Sequence, residues 1–194
     1  MISYIHGILV QKTPTFVVVE AGGVGYRLSI PLSSFQQVGE IGDEVKVLSY
    51  LHAREDGVRL FGFATDQERD LFLHLITVSG VGPRIAQGVL SGIPAEDCIR
   101  AIQEQDIATL TRAPGIGKKT AERLVLELKD KIGTLQSDRA SSRMGVKPEE
   151  RAAVSALVSL GYKQLRAQEI VEKVIKKSPG LSVEDTIREA LRQM

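Results

Sequence analysis

The sequence predicts an α+β protein of several domains: a small closed β-barrel, a helical domain, a linker and a small three-helix domain. Three observations predict it. Residues 1–63 concentrate short runs rich in Val, Ile, Leu, Tyr and Phe between glycine- and proline-marked turns. Two later segments, Val78-Ser-Gly-Val-Gly-Pro-Arg84 and Ala113-Pro-Gly-Ile-Gly-Lys-Lys119, repeat one pattern at an offset of 35 residues. Apolar periodicity lapses over residues 133–148 and then resumes.

In the first region, strands are expected at Ile2–Val10, Thr15–Glu20, Val24–Ile30, Glu44–Ala53 and Val58–Phe63. Short strands at this density suggest a barrel of the OB type. Gly22-Gly23-Val24-Gly25 reads as a tight turn between strands, because no helix and no Gly-x-Gly-x-x-Gly spacing follow it. Arg54-Glu55-Asp56-Gly57 carries the Asp-Gly signal of a hairpin turn.

Residues 64–132 read as helices. Thr65 and Glu68 have capping-box spacing ahead of Leu71, Phe72 and Leu75. Pro83 and Pro94 each stand where a first helical residue would, and Asp106 can cap a short helix reaching Leu110. A last helix is expected from about Lys118 to Lys131, with Ala121, Leu124, Val125 and Leu128 on one face and Gly133 as its stop. Residues 133–148 are dominated by Ser, Gly, Arg and Asp and read as a flexible linker. Residues 149–194 read as three short helices, the last opened by Ser182 and Asp185. So small a domain buries little area and suits docking.

The bulk numbers exclude several classes. The chain has 194 residues, a net charge of +1, 5% aromatic residues and no Trp, so neither a polybasic membrane-surface protein nor a base-stacking single-strand binder is favoured. Lys and Arg number 5 against 6 Asp and Glu in residues 1–63, 10 against 11 in 64–142, and 10 against 7 in 143–194. Any anion binding must therefore come from local clustering, and Arg84, Lys118, Lys119 and Arg123 do cluster at the repeated motif. A single cysteine, Cys98, permits no internal disulfide. The N-terminus lacks signal-peptide character and no apolar run reaches membrane-spanning length, so a cytoplasmic protein without membrane attachment is expected.

The repeated motif carries the chemistry. Glycine permits a sharp turn, and the helix that follows offers backbone N–H groups and the positive end of its dipole to an anion. A cation just inside each helix strengthens the site, and contacts of this kind grip phosphates without reading sequence. A nucleotide P-loop is excluded: with Gly117-Lys118 in register, its first glycine falls on Arg112 and its Ser/Thr on Lys119. His6, His52 and His74 share no metal-ligand spacing, and no Ser/His/Asp set or catalytic carboxylate pair stands out. An enzyme acting on DNA through such hairpins would need one of these.

The ordered set of motifs resembles the RuvA family of Holliday-junction-binding subunits from end to end. It runs from Met-Ile-Ser-Tyr-Ile-His-Gly through Arg-Glu-Asp-Gly-Val-Arg-Leu-Phe-Gly-Phe and the two Gly-x-Gly motifs to Ala-Leu-Val-Ser-Leu-Gly-Tyr and Ile-Arg-Glu-Ala-Leu. The resemblance implies an OB-fold first domain, two helix-hairpin-helix motifs and a C-terminal domain of ubiquitin-associated-like shape. It implies a homotetramer, possibly doubled to an octamer, on four-way junction DNA. Its implied partners are the hexameric RuvB ATPase, which would use ATP and Mg, and the RuvC resolvase; no cofactor or catalytic residue is implied in this chain. The family's acidic pin falls on Glu55 and Asp56. Its DNA-phosphate contacts fall on Gly80, Val81, Gly82, Arg84, Gly115, Gly117, Lys118 and Lys119, with Arg123 beside them, and Arg84 stands where the family often has Lys. The RuvB-facing surface falls in the third domain, with Leu157, Leu160, Tyr162 and Leu191 as the expected contacts.

Overall fold

The computed structural model describes residues 2–55, 57–143, 148–178 and 180–193, with the backbone alone described at 130, 133–143, 148, 151 and 164. It forms two compact units, residues 1–134 and 135–194.

In the first unit, β1 (Tyr4–Lys12), β2 (Phe16–Ala21), β3 (Val24–Ser29), β4 (Glu44–Arg54) and β5 (Gly57–Phe63) close a barrel in the order β1-β2-β3-β5-β4. All pairings are antiparallel except β3 with β5, which close the barrel in parallel. This is the OB arrangement the strand density predicts. The Gly22–Gly23 turn is tight, with Ala21 paired to Val24 and both glycines at positive φ. Side chains alternate as a half-buried sheet requires: Ile5 and Leu9, Val17 and Val19, and Val45 and Val47 point inward and are buried. Gly62 faces tightly packed lining side chains. A Cβ there would sit 2.9 Å from Val47 Cγ1 and 3.0 Å from Leu28 Cβ. Gly62→Ala is therefore expected to lower unfolding free energy by about 1–3 kcal/mol through overpacking, measured by denaturant titration.

A short helix, α1 (Leu32–Gln37), plugs the chain between β3 and β4. The sequence reading has no helix here, because six residues are too few to show a period. Helices α2 (Asp66–Leu75), α3 (Pro83–Gly92), α4 (Ala95–Gln103) and α5 (Ile107–Leu110) follow, then α6 (Lys118–Arg143). An aromatic cluster joins barrel to helices: the Phe72 ring of α2 lies 4.8 Å from Phe63, 5.4 Å from Phe61 and 5.4 Å from Tyr50. The Thr65–Glu68 capping box forms as its spacing predicts. Pro94, expected inside its helix, instead occupies the N-cap position of α4. Cys98 is buried in α4, and burial pushes its thiol up to about 12, so it stays a neutral thiol at physiological pH.

The expected end of α6 at Gly133 is not where the structure ends it. The helix runs on to Arg143, through most of the segment that reads as a linker; residues 144–147 lie outside the described residues. A lone interior glycine costs a helix only about 1 kcal/mol relative to alanine. No proline stands between Lys118 and Lys147 to enforce a stop.

The second unit contains α7 (Pro148–Ser159), α8 (Gln164–Lys177) and α9 (Val183–Arg192). Its core is Ala153, Leu157, Ala167, Ile170, Val171, Val174 and Ala190. Ser182 caps α9 by accepting from the Asp185 N–H. Among the described residues, no helix is long and apolar enough to cross a membrane.

Candidate nucleic-acid interface

Both Gly-x-Gly segments fold into the same turn. At the first, α2 gives way to a loop whose Val78 N–H donates to Leu75 O at 3.1 Å and whose Val81 N–H donates to Val78 O at 3.0 Å. At the second, Ala113 N–H donates to Leu110 O and Ile116 N–H to Ala113 O, both at 3.2 Å. Gly80 and Gly115 take φ of +89° and +81°, the left-handed region that only glycine enters without strain. The first helical bonds correspond too, Ala86 to Gly82 at 3.0 Å and Ala121 to Gly117 at 2.9 Å. The repeat reaches the core, where Val81 and Ile116 are both buried as plugs beneath their turns. The 35-residue offset is thus a duplicated helix-hairpin-helix.

What each turn presents is a bare helix N-terminus. Gly82 gives α3 no side-chain cap, and Gly117, lacking a side chain, cannot cap α6. Neither helix has an acidic residue in its first turn, whereas α2, α4, α7 and α9 all do. The first N–H groups of α3 and α6 are left for an external acceptor, and the dipole favours that acceptor being an anion. No atom lies within 4 Å of where a Cβ would stand on Gly80, Gly82 or Gly117, so a phosphate can approach the main chain closely. Arg84, Lys118 and Lys119 are exposed beside these termini, and among the described residues none of them is ion-paired.

Two of the expected phosphate contacts also make bonds within the fold. Val81 has its side chain buried and its N–H already donated to Val78, so it anchors the turn. The Arg123 guanidinium donates from Nη1 to Ser79 O at 2.9 Å, tying the second hairpin's helix to the first hairpin's loop. The hairpins also meet directly. Ile85 lies 3.7 Å from where a Cβ would stand on Gly115, and Pro114 packs against Gly88 and Gly92 of α3. Asp106 steadies the second hairpin from behind by capping α5. Its bonds from the Thr109 hydroxyl at 2.6 Å and the Thr109 N–H at 3.0 Å hold the carboxyl below its ordinary value. The two cradles are thus packed and hydrogen-bonded to each other.

The acidic turn sits at the tip of β4–β5. Arg54 pairs with Gly57 and Glu55 is exposed in the turn between them; Asp56 lies outside the described residues. Arg54 Nε donates to His52 Nε2 at 2.9 Å. The other two histidines are engaged separately, His6 facing Glu44 at 3.6 Å and His74 Nδ1 lying 2.8 Å from Asp70 O.

In the second unit the expected partner surface needs one correction. Leu157 is fully buried in the three-helix core and holds the unit together. Leu160, Tyr162 and Leu191 are exposed, at 61%, 38% and 39%. Leu165, not among the expected contacts, is the most exposed of the unit's large apolar side chains among the described residues, at 77%. It stands off the apolar face formed by Ala167, Ile170, Val171 and Val174, which is the signal that could have found it.

An OB barrel fused to paired uncapped hairpins defines a tandem helix-hairpin-helix protein. The comparisons make this specific. Residues 1–62 match the family described as "RuvA N terminal domain", 72–130 the "SAM-like Helix-hairpin-helix tandem", and 153–194 "RuvA, C-terminal domain". Proteins named Holliday junction branch migration complex subunit RuvA align along the whole length. The one from Tolumonas auensis is 39% identical, covering 100% of both chains. That from Aeromonas salmonicida is 42% identical, again over 100% of both, and that from Yersinia pseudotuberculosis 42% over 99% and 98%. The chain belongs to the RuvA family.

Proposed function

We propose that this chain is the DNA-binding subunit of a branch-migration complex and holds four-way junctions for a separate motor. The observation that carries the reading is the duplicated, uncapped helix N-terminus with cations that are unpaired among the described residues, the two copies packed against each other. Two fixed anion sites suit the backbone of one duplex arm. Because they contact phosphates and not base edges, the grip does not depend on sequence, as a moving branch point demands.

A fourfold homotetramer, possibly doubled to an octamer, would offer one hairpin pair to each arm, and Glu55 and Asp56 would gather at the crossover. Repulsion from phosphates there acts only within about 8–10 Å, so it would part strands at the centre and leave the arms held. The third domain would recruit the RuvB ATPase and raise its effective concentration at the arms. RuvB would supply the work from ATP and Mg; this chain would carry no catalytic residue or cofactor, and RuvC would act on the same junction. The setting is the cytoplasm, in recombination and DNA repair.

The test is reconstitution. With junction DNA, Mg and ATP, the chain alone should leave the DNA uncut and unmigrated, and adding RuvB should drive strand exchange. A chain ending at residue 148 should keep junction binding and lose that stimulation. Cleavage by the chain alone, or loss of both functions on truncation, would contradict the reading.

A further inference from the structure

A second polar feature of the first unit lies away from the cradles. Glu68 is 3% exposed, an unusual place for a carboxylate. Its Oε2 accepts from the Ser34 hydroxyl at 2.8 Å and from the Ala64 and Thr65 N–H groups at 3.1 and 3.3 Å; its Oε1 accepts from the Ser33 hydroxyl. Ser33 Oγ also lies 3.2 Å from Leu90 O in α3. That carbonyl has no helical donor, since the residue four positions on is Pro94, which has no N–H. Two more bonds cross the same seam: Gln87 Nε2 donates to Ile30 O at 2.6 Å, and the Leu32 N–H donates to Ser91 Oγ at 3.2 Å.

The clasp joins the two working parts. Residues 64 and 65 continue β5, the strand that starts at the acidic turn. Helix α3, gripped through Gln87, Leu90 and Ser91, begins at the first cradle. Apolar packing between Phe72 and the barrel would hold these parts together but would tolerate sliding. Directional hydrogen bonds to buried groups fix one register, because any slip leaves them unsatisfied. Register matters here: electrostatic repulsion decays over about 8 Å at physiological ionic strength, so a slip of a few ångströms at Glu55 changes its effect on a phosphate.

Resting on the junction-binding reading above, we infer that the Ser33–Ser34–Glu68 clasp sets the spacing between the acidic hairpin and the phosphate cradles, and that Glu68 is a positioning residue for junction selectivity. Its charge is not the operative property. A glutamine could accept through Oε1 from Ser34, Ala64 and Thr65 and donate through Nε2 to Ser33, which could then donate to Leu90 O.

The experiment compares affinities of the full chain for a four-way junction and a linear duplex at matched salt, in the wild type, Ser33→Ala, Glu68→Ala and Glu68→Gln. Ser33→Ala and Glu68→Ala should lower the junction-to-duplex ratio by roughly tenfold, the order expected when a buried hydrogen bond to a charged group is lost. Glu68→Gln should keep the wild-type ratio. The salt slope on linear duplex should be unchanged throughout, because the cradles are intact. Should Glu68→Ala not fold, Ser33→Ala, checked by thermal melting, decides alone. A wild-type preference kept in folded Ser33→Ala would overturn the inference alone, and so would its loss in folded Glu68→Gln. A wild-type ratio near one would overturn the junction reading, and the inference with it.

Discussion

Replacing Lys118 and Lys119 together by alanine is expected to weaken junction binding by at least about tenfold and to flatten its salt dependence, the log–log slope falling by about 1 for each lysine engaged with a phosphate. Both side chains are exposed at the uncapped N-terminus of α6 and, among the described residues, unpaired, so their removal disturbs no internal contact. The fold should melt as the wild type does. The loss should be the same for any DNA sequence, because the contacts are to the backbone. Arg123→Ala should behave differently. It removes the bond to Ser79 O and frees the first hairpin loop, so it should weaken binding with a smaller change of slope. Titrations at several salt concentrations separate the two cases. An unchanged slope in the double lysine variant would remove the phosphate grip from α6.

Neutralising the acidic turn is expected to act in the opposite direction. In Glu55→Gln with Asp56→Asn, the β4–β5 pairing from Arg54–Gly57 onward is untouched, so folding should be preserved. Linear duplex binding should tighten by roughly tenfold, about 1.4 kcal/mol, because repulsion between the turn and phosphates disappears. Migration rate with RuvB should change at the same time. The contrast is greatest at low salt and shrinks as the Debye length contracts from about 10 Å at 0.1 M toward about 3 Å at 1 M. Identical duplex affinity and migration in wild type and variant would reduce Glu55 and Asp56 to a hairpin loop.

Local chemistry was legible in the sequence and distant contacts were not. Every strand of the barrel follows from runs of alternating β-formers, and both hairpins follow from glycines whose φ is positive for the reason their spacing implies. Glu68 shows the limit. Its capping-box partner is three residues away and was read; its serine partners are about 35 residues away and form only once the barrel has closed. The clustering of Arg123 with the other cations is visible in the sequence, but the bond from its guanidinium to Ser79 O spans 44 residues and is not. The periodicity of α7 does not separate Leu157 from the exposed Leu160, and only the packing of three helices puts it inside. Gly133 has the composition of a helix stop, but no proline closely follows to enforce one and the helix continues to Arg143.

The central claim is that two coupled cradles and an acidic hairpin select a four-way junction over continuous duplex. The direct measurement is the dissociation constant of the full chain for a junction and for a linear duplex of the same arm sequence, each at several matched salt concentrations. The account predicts tighter binding to the junction at every salt, with a steeper slope because more arms are held. Equal affinities with equal slopes would contradict it.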